Sequence, residues 1–307
     1  KRKRASNSNS IKYDRDSPNS LYWNEAIHPE TNAADLYLNN KKSNESLIKK
    51  GFGFALTHQT DGILRGQGAL ISLGTNQLIL KNNLPASFFS FEKGSSKQRY
   101  PSSLMGSIAL IRQCLYDAQW YTNNNFERNL SLEALNKQIS GVLYLKTRDK
   151  LDILRAEKIA KEFNLNFNYI GSGNEYESIN EIKKIKSTIV VPINFPKPYD
   201  VKNPYISRQI PLSDLKHWEM APQNPAILSK NGVKIAITSK DIKESKVFWA
   251  NIRKTIDHGM SIEKILKALT ISPSISMGLE KEIGSLEPDK IASFIIYNSD
   301  PFKEETT

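Results

Sequence analysis

Between residues 142 and 269 short apolar runs alternate with amphipathic ones, and this alternation restricts the architectures open to the chain more than any other feature. The runs at 142–145, 167–170, 188–193 and 233–237 are short and rich in β-branched and aromatic residues, and they read as buried strands. The stretches 151–163, 175–185, 241–258 and 262–269 carry apolar residues at three- and four-residue spacing and read as helices. In the third of these, Asp241 and Glu244 stand at capping-box spacing, Phe248, Ile252 and Ile256 form the stripe, and Gly259 supplies the stop. Strands separated by helices of this length pair in parallel, because a parallel neighbour requires a long crossover.

The pattern is looser upstream. A strand at 51–58 follows a helical 47–50, two short strands are expected at 78–80 and 86–91, and helices at 101–120 and 130–135. The first of these helices places Pro101 in its opening turn and Leu104, Ile108, Ile111 and Leu115 on one face. Six or seven such β/α units fit an α/β fold of the (β/α)8 TIM-type barrel class, incomplete at the N-terminus. A last strand, 292–297, follows a turn beyond the barrel helices. The expected organisation is a flexible basic arm over 1–20, opening Lys1-Arg2-Lys3-Arg4, a barrel over 21–280, and a C-terminal piece over 281–307.

A chain of 307 residues can bury one barrel-sized core or two smaller ones, and 39% hydrophobic with 24% charged residues is a globular composition. No apolar run reaches the roughly 18 residues a membrane helix needs. The chain opens on Lys1 rather than Met, which reads as an internal start: a cleavage product or a part of a longer chain. Cys114 is the single cysteine, so no intrachain disulfide forms. The net charge of +11 has two readings, an anionic partner or a lysine-rich solvated surface. The lysines are interleaved with Asp and Glu and form no basic stripe with aromatics, so a nucleic-acid partner is not expected.

Several motifs together carry a family resemblance. Gly51-Phe52-Gly53-Phe54-Ala55-Leu56-Thr57-His58, then Asp61-Gly62-Ile63 and Gly66-Gln67-Gly68, is one; Tyr22-Trp23-Asn24 through His28-Pro29-Glu30 is another. The third is Ala268-Leu269-Thr270 with Pro273, Gly278-Leu279, and Ile283-Gly284-Ser285-Leu286 through Lys290-Ile291-Ala292. The chain resembles the amidohydrolase superfamily, in its imidazolonepropionase-like branch, from about Trp23 to Pro301. The resemblance implies hydrolysis of non-peptide C–N bonds by one or two metal ions, a His-x-His on a first barrel strand that would precede Lys1, and an accessory β-sandwich whose C-terminal remnant includes 292–297. It also implies a larger parent polypeptide or a completing domain, and an exported or cell-envelope location.

The same resemblance marks three ligand positions, and this sequence departs from each. Lys146 stands where a strand-end His binds metal, Gly171 where the next His would stand, and Lys240 where an Asp is usual. A protonated Lys has no lone pair for a metal. The expectation is therefore a catalytically degenerate, non-metal ligand-binding or structural domain with no cofactor, whose cationic cleft would attract a small anion. The rival is a working metal-dependent hydrolase that takes zinc or another divalent ion through a preceding segment, a carboxylated Lys146 and His58. A third reading is a basic interaction module, recognisable by steep salt dependence.

The remaining candidates keep two readings each. His58 is a polar group in the barrel mouth or a hydrogen-bonded structural histidine. Asp61 and Arg65 bind a ligand or hold their loop by an ion pair. Asp241 is a helix N-cap or the catalytic base. Gly171-Ser172-Gly173 cradles an anion at the helix beginning near Glu175, or is a tight turn. His28 and His217 lie in loops, His258 at a helix end, and Cys114 in the core.

Overall fold

A computed structural model describes residues 21–74, 79–81, 86–124 and 127–303. The expected arm at 1–20 lies outside the described residues, as does position 78 of the expected strand at 78–80. In chain order the first elements are helices α1 (Ala33–Leu36) and α2 (Lys41–Ile48), then strands β1 (Phe54–Thr57), β2 (Leu64–Gln67), β3 (Ala69–Ser72), β4 (Ile79–Lys81) and β5 (Ala86–Ser90). Helices α3 (Leu104–Asn123) and α4 (Leu130–Gln138) lead to β6 (Val142–Lys146), α5 (Lys150–Phe163), β7 (Phe167–Ile170), α6 (Ile179–Ile182) and β8 (Thr188–Pro192). Then follow α7 (Pro204–Ser207), α8 (Leu212–Met220), α9 (Asn224–Lys230), β9 (Lys234–Thr238), α10 (Ser245–Asp257), α11 (Ile262–Leu269) and α12 (Ile271–Ser276). The chain divides into two compact units.

The first unit comprises Lys1–Asn39, Phe54–Lys146 and Ala156–Phe167. Strands β1, β3 and β4 form an antiparallel sheet. Strand β5 pairs antiparallel with β2 and parallel with β6, in a register that sets Phe88 beside Tyr144 and Ser90 beside Lys146. Helices α3 and α4 provide the crossover that a parallel pair demands. All five residues of β5 are buried, which is why it reads in sequence as a run and not as an alternation. Helix α3 opens later than its sequence indicates: Ser103 is the N-cap, its hydroxyl accepting from the Gly106 amide at 3.2 Å, and Pro101 lies outside the helix. A hydroxyl that satisfies a free amide outcompetes a proline that merely tolerates the lack of one.

The second unit comprises Asn40–Gly53, Thr147–Arg155 and Asn168–Thr307. Its strands are parallel, with Tyr169 beside Ile189, and Thr188 through Pro192 beside Lys234 through Thr238. Helices α11 and α12 pack against β9, with Ile265 and Ala268 turned inward. Three expectations need correction here. Helix α10 begins at Ser245, not 241: Asp241 has φ +63° in a turn that buries Ile242, and Glu244 has the extended backbone of an N-cap. The helix expected at 175–185 is a 3₁₀ turn over Glu175–Ser178 followed by the single turn of α6. Finally, 292–297 is not a strand: its residues are exposed and irregular, because nothing among the described residues offers it a ladder.

Candidate functional site

Three charged side chains meet at the ends of the central strands of the first unit. Lys146 closes β6, and its Nζ donates to Glu92 Oε2 at 2.6 Å. Glu92 lies two residues beyond β5, whose last residue sits beside Lys146 in the parallel register. Arg65, from β2, places NH2 4.0 Å from the same carboxylate oxygen and donates Nε–H to the Gly62 carbonyl at 2.8 Å. Arg65 is only 2% exposed, and burial lowers the pKa of its guanidinium against the opposing pull of Glu92 and Asp61. A guanidinium remains charged under such a shift. Arg65 and Lys146 thus come together, but through Glu92, a residue the sequence reading passed over. Its signal was available: it follows the expected 86–91 strand as directly as Lys146 ends its own.

His58 follows β1 and lies flat on Phe88, ring centroids 3.8 Å apart and planes within 6°; Phe88 in turn stacks on Tyr144 at 5.2 Å. Its Nδ1 lies 2.7 Å from the Gln59 carbonyl oxygen. Asp61 ties down a neighbouring loop: its carboxylate accepts from the amide and hydroxyl of Ser95. Burial raises the Asp61 carboxyl, but the Ser95 bonds and the nearby His28 outweigh it and hold the group below the usual carboxylate range. Asp61 and Arg65 therefore take separate partners, Ser95 for one and Glu92 with the Gly62 carbonyl for the other.

In the second unit Gly171 follows β7, and its amide donates to the Val190 carbonyl at 2.9 Å. Of the two readings of Gly171-Ser172-Gly173, anion cradle or tight turn, the structure has a turn whose amides face a carboxylate of the chain itself. The amides of Ser172 and Gly173 donate to Glu175 Oε1 at 2.6 and 3.0 Å, and Asn224 Nδ2 donates to Oε2 at 2.7 Å. Glu175 is fully buried, so an anion from solution finds this nest taken. A Cβ on Gly171 would lie 2.6 Å from Glu175 Oε1, which accounts for glycine there. Lys240 and Asp241 lie exposed in the turn after β9. His217 stacks on Tyr176, and His258 Nδ1 lies 2.7 Å from the Lys254 carbonyl at the end of α10.

Residues 124–306, well over half the chain, match the amidohydrolase family. The chain belongs to that family. Among solved structures, an amidohydrolase from Thermotoga maritima MSB8 aligns with a TM-score of 0.73 at 22% identity, over 91% of this chain and 76% of that one. A second amidohydrolase aligns with a TM-score of 0.40 at 14% identity, over 57% of this chain and 43% of that one. No curated protein matches in sequence. The α/β fold is that of the Thermotoga amidohydrolase, consistent with the TIM barrel of the superfamily.

Membership raises the question of a metal. At the three positions the family resemblance marks, this chain carries an ion-paired ammonium, a glycine with no side chain, and an exposed ammonium. None offers a lone pair in its charged form. Among the described residues no three His, Cys, Asp or Glu side chains converge as a metal would require. The residues at these positions do not fit a divalent ion.

Proposed function

We propose that this amidohydrolase-family chain is catalytically degenerate and acts as a non-metal ligand-binding or structural domain of a larger protein. One observation carries the reading: Lys146 Nζ is bound to Glu92 at 2.6 Å beside a buried Arg65. The ammonium occupies the strand end, and it also engages the Glu92 carboxylate. Two fixed cations at this strand end, opposed by Glu92 and Asp61, disfavour capture of a divalent cation there. The motifs at 51–68 and 283–292 support the imidazolonepropionase-like branch, and the exposed 292–297 stretch supports completion by further polypeptide.

Metal content of protein purified without chelators tests the reading. The expected result is less than one equivalent of zinc after dialysis, and no hydrolysis of amide, imide or cyclic C–N substrates on adding zinc or manganese. One equivalent that survives dialysis, with metal-dependent turnover, overturns it and restores the hydrolase reading.

A further inference from the structure

The amino end of α10 is open, and a buried lysine adjoins it. Helix α10 runs for 13 residues from Ser245, and its N-cap residue, Glu244, makes no side-chain bond to the first turn. Among the described residues the amides of Ser245, Lys246 and Val247 meet no acceptor; the first to find one is that of Phe248, which donates to the Glu244 carbonyl at 3.2 Å. Free N–H groups at the positive end of a helix dipole attract anions. By itself such an end is ordinary, since water satisfies it. Lys50 sets this one apart. Two serines tie the end of α2 to the turn before α10: Ser245 Oγ donates to the Lys49 carbonyl at 2.6 Å, and Ser46 Oγ to the Lys243 carbonyl at 2.9 Å. Lys50 Nζ donates to the same Ser46 hydroxyl at 2.9 Å, so its ammonium stands one hydroxyl away from the residue that precedes the N-cap. Lys50 is only 4% exposed, yet among the described residues no carboxylate pairs with it, and two of its three donors are unspent. Burial lowers the pKa of its amine with no carboxylate pulling the other way. A buried ammonium without a counter-charge is costly.

We propose that the open end of α10 and Lys50 together bind the phosphate group of a small soluble ligand, either the free anion or a monoester. An oxyanion there accepts from the first-turn amides and from the spare donors of Lys50, and it supplies the counter-charge that the buried ammonium lacks. Phosphate suits these donors better than a carboxylate or chloride: its oxygens reach amides and ammonium at once, and its second charge answers the helix end as well as the lysine. Lys49, Lys243 and Lys246 lie exposed on the same two segments and outnumber Glu45 and Glu244, so the approach is positive. The site lies wholly in the second unit and uses none of Lys146, Glu92 and Arg65. It is therefore independent of the catalytic reading above.

Calorimetric titration of the full chain with sodium phosphate, and separately with glycerol 3-phosphate, at fixed ionic strength tests it. The expected result is saturable binding of at least one of the two, with a dissociation constant below about 1 mM; the tighter one shows whether the site takes the free anion or the ester. Lys50→Met keeps an apolar stem in place of the lysine and weakens binding about tenfold or more. Glu244→Asp keeps the charge but brings a carboxylate within reach of the first-turn amides, so it raises the melting temperature and weakens phosphate binding together. Glu244 is exposed, and this variant keeps the test valid if Lys50→Met fails to fold. Lys161→Ala removes an exposed lysine of the first unit and leaves binding unchanged. No saturable binding of either probe, undiminished binding by Lys50→Met or Glu244→Asp, or an equal loss from Lys161→Ala, which would mark diffuse attraction to a basic chain, overturns the proposal.

Discussion

Two glutamates decide the chemistry of their surroundings. Glu175 is fully buried and receives two amides, one carboxamide and the Ser172 hydroxyl, so its removal strands the buried Asn224 carboxamide and leaves two half-buried amides without their acceptor. Glu175→Ala is expected to cost about 3 kcal/mol in urea unfolding, and Glu175→Gln less, since the amide oxygen still accepts. Glu92→Ala leaves Arg65 buried beside an unneutralised Lys146. Because Glu92 is 40% exposed, the expected loss is about 1–2 kcal/mol, short of a fully buried pair. Asp152 gives a pH prediction. Burial raises its carboxyl, but bonds from Arg148 and Arg155 outweigh that and hold the group below the usual range. A depressed native pKa means stabilisation that is complete above the unfolded value near 4 and is lost as pH falls through the native one. Thermal melts below about pH 4 should therefore show a steeper fall for the wild type than for Asp152→Asn. At this scale sequence placed Lys146 at a strand end and Arg65 in a glycine-rich loop but could not pair them. The pairing rests on Glu92, whose position beside Lys146 follows from the β5–β6 register, and register is a non-local property.

Elements were legible wherever their signal was local. Strands β6, β7, β8 and β9 and helix α11 lie within a residue or so of their expected bounds, since each is a short apolar run or a complete amphipathic stripe. The losses occurred where a third party decides. Asp241 and Glu244 satisfy the capping-box spacing, yet burial of Ile242 forces the left-handed turn that delays α10 to Ser245. The run at 292–297 has strand composition but no ladder partner among the described residues, and composition does not supply a ladder. Where the cap is local it should respond locally. Asn129 accepts from the Leu132 amide at 3.0 Å at the start of α4, and Asn129→Ala is expected to cost about 1 kcal/mol in chemical denaturation.

For the molecule as a whole, family and function are separate questions. The amidohydrolase match covers residues 124–306, and it was legible in the tail motifs and strand–helix alternation. A family's fold does not carry its reaction with it, and the side chains at the marked positions decide what this chain can do. Fold came through in sequence because it depends on many weak signals; the site rests on three or four side chains whose partners are remote in sequence. The Lys146–Glu92–Arg65 cluster has one more consequence, for the protein's life in a cell. Its ion pairs are encoded in the chain and arrive with translation, whereas a metal must be captured from solution after folding. Strand ends built this way are finished when the polypeptide is finished. On the metal-free reading proposed above, trace-element scarcity would not delay maturation, and a chelator such as EDTA is expected to leave the melting temperature unchanged.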